Sequence, residues 1–371
     1  MVYQTSACGV ESGQLGPRVR ARPVPVQAKW LARPRAAGST MEDAVYQDLR
    51  IFSGNAHREL AQDICHYLER PVGACDVFEF SNENVFVSIK ENVRERDVFI
   101  VQPMTSPVNT SIMELLIMID AMKRASAGRV TAVVPYYAYG RSDKKDQPRV
   151  PITARLLANL IETAGANRLL TVDLHAGQIQ GFFNIPVDEL TALYAISHHF
   201  KEMRLDHPVV ISADVGFSKR ARNVAVSLDA PLAIIEKRRV SNDEDAEALN
   251  LIGEVAGCPA IIVDDEIQTG GTLIEGIDLL RERGATAVYA GITHPVLSGS
   301  AVARIRESSL AELVVTDTVP LPPEKRIPQI TVLSVAHLIG EAIIRIHTGR
   351  SVGELFEEEE STLPAEARAG V

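Results

Sequence analysis

One short stretch of the sequence, residues 261–273 (IIVDDEIQTGGTL), combines residue types suited to binding a phosphorylated ligand. An apolar run leads into the adjacent acids Asp264 and Asp265, and a glycine-threonine loop follows. Backbone N–H groups of a glycine-rich turn at a helix N-terminus bind phosphate, while paired carboxylates suit vicinal hydroxyls, alone or with a divalent cation. A sugar phosphate satisfies both requirements. The alternative is an ordinary turn followed by a capped helix.

The elements around this stretch alternate short β-rich runs with longer amphipathic patterns. Examples are DVFIVQP before SIMELLIMIDAMKRASA and AIIVDDE before TLIEGIDLLRERGA. Apolar strands buried on both faces predict mostly parallel sheets covered by helices, so we expect an α/β protein with two doubly wound domains in tandem. The predicted organisation is a disordered leader over 1–46, domains over 47–195 and 196–357, and a disordered acidic tail over 358–371.

Composition excludes several classes of partner. The 371 residues include 38 basic and 48 acidic side chains, a net charge of −10, which argues against a nucleic-acid surface or an anionic membrane. No apolar run approaches the roughly 18 residues needed to span a bilayer. The four cysteines are scattered without CxxC spacing, which favours reduced thiols in a cytosolic protein over a disulfide framework or a zinc site.

The first forty residues are rich in Arg, Pro and Ala and show no periodicity. Their acid-poor character is faintly similar to that of an organellar transit peptide. We favour a disordered leader, or translation that starts at Met41.

Several long segments together resemble one family. PVNTSIMELLIMIDAMKRASA, VVPYYAYGRSDKKDQPR, ITARLLANLIETAGA, TVDLHAGQIQGFF, LAIIEKRR and ITHPVLSGSAVARI stand in the order found in ribose-phosphate pyrophosphokinases, the PRPP synthetases. The resemblance covers roughly residues 47–357 and implies two tandem phosphoribosyltransferase-like domains. It also implies transfer of the β,γ-diphosphoryl group of MgATP to the C1 hydroxyl of ribose 5-phosphate, giving PRPP and AMP.

The same resemblance implies roles for individual residues. His175 and Asp214 match the positions that hold Mg²⁺ on the triphosphate, and Lys237 and Arg239 match a catalytic cationic pair on a mobile loop over the phosphates. Asp264 and Asp265 match the residues at the ribose hydroxyls. The loop that matches the binding site for ribose 5-phosphate continues with Gln268, Thr269, Gly270, Gly271 and Thr272.

On the nucleotide side, the resemblance implies that Arg141 contacts ATP and that Phe80 packs on adenine, usually across a subunit boundary. A guanidinium can pair bidentately with phosphate or stack on a ring. The other positions that match the ATP site are Asn82, Asn84, Ser142, Asp143 and Asp146. The family further implies a cytoplasmic enzyme of homodimers that assemble into hexamers.

The sequence departs from the usual family pattern at three places. FxDGE reads Phe80-Ser81-Asn82-Glu83-Asn84, Arg-Gln reads Arg141-Ser142, and DDMIDTGGT reads DDEIQTGGT over 264–272. Gln268 replaces a carboxylate by a neutral amide, which hydrogen-bonds but cannot act as a base. We therefore expect a divergent, active synthetase. A catalytically silent regulatory homologue, or a transferase that consumes PRPP, stays as an alternative.

Overall fold

The computed structural model describes residues 47–239 and 247–355. The predicted leader (1–46) and acidic tail (358–371) lie outside these residues. The elements of the first part of the chain are β1 (Gln47–Ser53), α1 (Arg58–Tyr67), β2 (Cys75–Glu79), β3 (Val85–Ile89), β4 (Arg96–Val101), α2 (Val108–Arg124), β5 (Arg129–Val134), α3 (Thr153–Ala164), β6 (Arg168–Val172) and β7 (Val187–Leu190).

Five of these strands form a parallel sheet in the order β1-β4-β5-β6-β7. Its central strands are continuous apolar runs, because helices cover both faces. Helices α2 and α3 pack on one face through Leu115, Met118 and Leu157. The strands β2 and β3 are separate and form a two-stranded antiparallel hairpin.

A second, seven-stranded sheet has the order β10-β9-β8-β11-β12-β13-β14, and only the β10–β9 pair is antiparallel. The remaining elements are α4 (Leu193–Met203), β8 (Val209–Ser212), α5 (Ser218–Ser227), β9 (Leu232–Arg239), β10 (Glu247–Ile252), β11 (Pro259–Ile267), α6 (Gly271–Glu282), β12 (Ala287–Pro295), α7 (Ala301–Glu307), β13 (Leu310–Thr316), β14 (Ile330–Leu333) and α8 (Ala336–His347). The predicted α/β class with mostly parallel, doubly wound sheets is confirmed.

The last helix, α8, returns to the first sheet. Ile339 and Ile343 share a buried apolar cluster with Leu49 of β1 and with residues of α1. His347 Nδ1 lies 2.8 Å from the buried Asp97 carboxylate at the start of β4. Residues 336–347 therefore complete the core of the first sheet, and the predicted domain limits at 195 and 357 stay predictions.

The composition predicts that the chain has no membrane-spanning segment and that its cysteines are reduced. None of the helices in the described ranges is long and apolar enough to cross a membrane. Cys65, Cys75 and Cys258 are free thiols, and Cys8 lies outside the described part of the chain.

Candidate functional site

Strand β11 and the turn after it form the centre of the candidate site. Strand β11 runs through the two acids to Ile267, and its last residues pair with β12. Asp264 and Asp265 are therefore strand residues. Helix α6 begins at Gly271, and Gly270 precedes it with φ +77°, a left-handed conformation that favours glycine. The predicted sequence of strand, glycine-threonine turn and helix is present.

A cavity of about 420 Å³ opens beside this turn. It draws residues from β9, β11 and β12, and from the segments that follow β5, β6 and β8. The predicted site residues that line it are Arg141, His175, Asp214, Asp264, Asp265, Gln268, Thr269, Gly270, Gly271 and Thr272. Residues separated by more than 120 positions in the sequence thus meet at the carboxyl ends of two sheets, as expected for ligand sites of doubly wound folds.

The two adjacent acids have opposite pKa shifts. Burial and the negative charge of Asp265 raise the pKa of Asp264 well above its ordinary value. Burial also acts to raise the pKa of Asp265, but hydrogen bonding with His175 outweighs it and the pKa lies below its ordinary value. His175 Nδ1 is 2.7 Å from Asp265 Oδ2, and this bond raises the pKa of His175. Asp265 is therefore the more strongly ionised acid.

Asp214 adds a third carboxylate to the cavity. It follows β8, and its Oδ1 accepts a hydrogen bond of 2.7 Å from the Phe217 backbone N–H. Its negative charge contributes to the raised pKa of Asp264. Among the described residues no three His, Cys, Asp or Glu side chains form a preformed metal cluster. Mg²⁺ does not need one, because it usually binds one or two carboxylates together with water and substrate phosphates.

Glu266 and Tyr136 are site residues that motif matching missed. The Glu266 side chain is 5% exposed, forms an ion pair with Arg141 Nε and accepts a 3.0 Å hydrogen bond from Gln268 Nε2. Tyr136 OH donates a 3.1 Å hydrogen bond to its other oxygen. The sequence feature that points to Glu266 is its carboxylate, because the usual family pattern has methionine at this position.

A guanidinium lies beside the turn as well. A Cβ added to Gly271 would stand 3.2 Å from Arg304 Nη1, which belongs to the short helix α7. Arg304 was not predicted, since the segment SGSAVARI contributed only to the overall resemblance. The turn therefore has a positive charge close to its glycines.

The remaining nucleotide-side residues do not line the cavity. Asp143 is buried and accepts a 2.5 Å hydrogen bond from Gln178, Ser142 Oγ is 3.4 Å from Thr153 Oγ1, and Asp146 is exposed. Phe80, Asn82 and Asn84 lie at the tip of the β2–β3 hairpin. The Phe80 ring is 48% exposed and packs on Phe78 and Phe86.

Lys237 and Arg239 lie at the end of β9, and their backbone pairs with β10. The resemblance implied a loop at this position, whereas the backbone is a strand as far as Arg239. The side chains of Lys237 and Arg239 are not among the parts of the chain that the structure describes. Ile235, in the same strand, lines the cavity.

Comparisons with known proteins agree over both halves of the chain. Residues 49–165 match a family model described as the N-terminal domain of ribose phosphate pyrophosphokinase, and residues 241–357 match the phosphoribosyl synthetase-associated domain. The chain is 51% identical over 314 residues to the ribose-phosphate pyrophosphokinase of Oceanobacillus iheyensis, covering 84% of this chain and 99% of that protein. It is likewise 51% identical to that of Caldanaerobacter subterraneus subsp. tengcongensis over 309 residues, covering 83% and 98%.

A solved crystal structure shows the same similarity at the level of the fold. The crystal structure of phosphoribosylpyrophosphate synthetase from Mycobacterium smegmatis aligns with a TM-score of 0.77 at 43% identity. The alignment covers 81% of this chain and 99% of that chain. Both sheets are therefore included in the similarity.

Proposed function

The chain belongs to the ribose-phosphate pyrophosphokinase family, and on that premise we propose that it transfers the β,γ-diphosphoryl group of ATP to the C1 hydroxyl of D-ribose 5-phosphate. The products are PRPP and AMP, and the PRPP supplies nucleotide biosynthesis. The observation that carries this assignment is that the acid pair, the glycine-threonine turn, His175 and Arg141 meet in one cavity.

The pentose half of the reaction fits the turn at β11 and α6. The backbone N–H groups after Gly270, the hydroxyls of Thr269 and Thr272 and the N-terminus of α6 bind the 5-phosphate. Arg304 adds a nearby positive charge. The carboxylates of Asp264 and Asp265 accept hydrogen bonds from the ribose hydroxyls, which fixes the C1 hydroxyl in the cavity. Gln268 offers an amide that hydrogen-bonds but does not take a proton at neutral pH.

The chemical step is an in-line displacement at the β-phosphorus. The oxygen of the C1 hydroxyl forms the new bond to that phosphorus and its proton passes to solvent. The bond from that phosphorus to the bridging oxygen of the α-phosphate breaks, and AMP leaves with that oxygen. The protein contributes mainly by positioning and by offsetting negative charge. Lys237 and Arg239 supply the two positive charges for the transition state, and Arg141 binds the nucleotide.

Mg²⁺ is the proposed cofactor, with His175 and Asp214 as its protein ligands and the triphosphate oxygens as the others. The fit comes from the charge of the site, because four carboxylates line one cavity, and burial together with the acidic neighbours Asp265 and Asp214 raises the pKa of Asp264. Bound Mg²⁺ neutralises phosphate charge. His175 is held by Asp265 through Nδ1, so Nε2 is the atom that would bind the metal.

Phe80, Asn82 and Asn84, with Ser142, Asp143 and Asp146, are the proposed remainder of the ATP site. Since the exposed hairpin lies outside the cavity lining, we propose that it meets the adenine of a neighbouring subunit in a homodimer, with dimers assembling into a hexamer. Cytoplasmic location also stays a prediction.

The test is to incubate the full chain with MgATP and ribose 5-phosphate and to quantify AMP and PRPP together by ion-exchange chromatography. Equal amounts of both products are expected, and Lys237→Ala is expected to abolish them. Lys201→Ala, an exposed lysine on α4, is the matched control and should keep full activity.

The two alternatives predict different results. A silent regulatory homologue would form no AMP from folded protein at any substrate concentration. A transferase would consume PRPP in the presence of a base and would not need ATP. Coverage of both halves of the known synthetases favours the synthetase over the transferase.

A further inference from the structure

Glu266 occupies a position between the two halves of the cavity. Its carboxylate is almost fully buried and meets three side chains. Arg141 and Tyr136 both belong to the segment that follows β5 of the first sheet, whereas Gln268 belongs to the turn after β11. No other described contact in the cavity joins Arg141 directly to the pentose turn.

We infer that Glu266 is a positioning residue that holds Arg141 and Gln268 together and so couples the nucleotide side of the site to the pentose side. The inference rests on the proposed synthetase function. Glu266 touches no substrate in this assignment and acts through its two neighbours.

Electrostatics explains why the three groups belong together. A buried carboxylate is costly unless it is paired and hydrogen-bonded. Here one oxygen meets the Arg141 guanidinium and the Gln268 amide, and the other accepts the Tyr136 hydroxyl hydrogen bond. Burial and Glu266 both raise the pKa of Tyr136, which keeps the hydroxyl protonated as the donor.

The ion pair leaves Arg141 able to bind a ligand. Its side chain is 53% exposed, and the contact with Glu266 is made through Nε. The terminal Nη groups carry four of the five N–H donors of a guanidinium, and those are the donors that pair with phosphate. Glu266 thus fixes the direction of Arg141 without using the end that would meet the nucleotide.

The sequence supports a compensating exchange. Where the usual pattern has Met and Asp at 266 and 268, this chain has Glu and Gln. The carboxylate has moved by two residues, and the two new side chains are hydrogen-bonded to each other at 3.0 Å. The negative charge of the turn is therefore kept, and Gln268 is held by the residue that replaced its charge.

The experiment compares the parent with Glu266→Gln, Glu266→Met and the double variant Glu266→Met/Gln268→Asp. KM for ATP, KM for ribose 5-phosphate, kcat and the unfolding midpoint are measured for each. Glu275→Gln, on the exposed face of α6, is the control and should match the parent.

Glu266→Met is expected to raise KM for ATP about ten-fold, the size of one lost hydrogen bond to a charged group, with a smaller rise for ribose 5-phosphate. Glu266→Gln keeps the shape of the side chain, so the logarithm of KM for ATP should rise by roughly half as much as in Glu266→Met. The double variant restores a carboxylate near Arg141 and should return KM for ATP to within about three-fold of the parent.

Kinetic constants of both single variants within two-fold of the parent would overturn the inference, as would equal losses in the single and double variants. If Glu266→Met does not fold, the isosteric Glu266→Gln decides by the same criteria. An inactive parent would instead overturn the proposed function, so the two failures are distinguishable.

Discussion

The pentose side and the nucleotide side of the cavity are built in different ways. The pentose side consists of one continuous piece, residues 264–272, on a buried strand and the following turn. The nucleotide side takes Arg141 from the segment after β5 of the first sheet, while Phe80, Asn82 and Asn84 lie on an exposed hairpin away from the cavity lining. A site encoded in consecutive residues is complete within one chain, whereas the dispersed half depends on tertiary contacts and, as proposed, on a neighbouring subunit.

The largest effect is expected from Asp265→Asn on the pentose side. It removes the more strongly ionised acid and the partner of His175. We expect kcat/KM for ribose 5-phosphate to fall at least about hundred-fold, an increase of roughly 2.7 kcal/mol in the barrier. Steady-state kinetics check this, with the exposed Asp278→Asn on α6 as control. Loss of less than ten-fold would contradict the central role of the acid pair.

Gly270→Ala tests whether the turn itself carries the phosphate affinity. The residue has φ +77°, and a side chain in this left-handed conformation costs about 1–2 kcal/mol. We expect KM for ribose 5-phosphate to rise about ten-fold and the unfolding midpoint to fall by a few degrees.

Gly271→Ala is the matched comparison for that variant. Its φ is not left-handed, and its added Cβ would stand 3.2 Å from the movable end of Arg304 and 4.0 Å from Thr269 Oγ1. Its unfolding midpoint should stay within about one degree of the parent. Equal destabilisation by both substitutions would show that the backbone conformation is not the cause.

Phe80→Ala addresses the hairpin. Stacking of an aromatic side chain on a base contributes about 1–3 kcal/mol, so KM for ATP should rise about five-fold or more while KM for ribose 5-phosphate is unchanged. The ring is 48% exposed, so little stability is lost. Phe78→Ala is the control, since that ring lies in the same cluster at 5.1 Å and has no proposed contact with ATP. If both variants behave alike, the effect belongs to the cluster and not to Phe80.

Asn82→Asp should have the smallest effect. It restores the acid of the usual family pattern at an exposed position, where one hydrogen bond is worth about 0.5 kcal/mol, so KM for ATP should change by no more than about two-fold. Asn92→Asp, also exposed and outside the site, is the comparison. A ten-fold change at Asn82 would mean that the hairpin tip contributes as much as the cavity.

The sequence predicted those features that depend on neighbouring residues. The apolar runs of β11, β5 and β4 and the periodic helices after them were identified, since burial on both faces leaves a continuous apolar signal. The short strands β2 and β3 were missed, because a hairpin exposed over much of its surface lacks such a run.

The contacts of Glu266 with Arg141 and Tyr136 could not be predicted from spacing either. They join residues about 125 and 130 positions apart, and only the tertiary fold brings them together. The placement of α8 on the first sheet has the same origin. An amphipathic helix indicates an apolar partner surface but does not specify which one.

The return of α8 to the first sheet has a consequence for the order of events during protein synthesis. Strands β1 and β4 leave the ribosome early, yet α8, which helps to bury Leu49 and Phe99, is translated only after the strands of the second sheet. At typical elongation rates the interval is on the order of tens of seconds. Until α8 is made, this face of the nascent first sheet is covered only in part, by α1, and the rest of its apolar surface is open to chaperone binding.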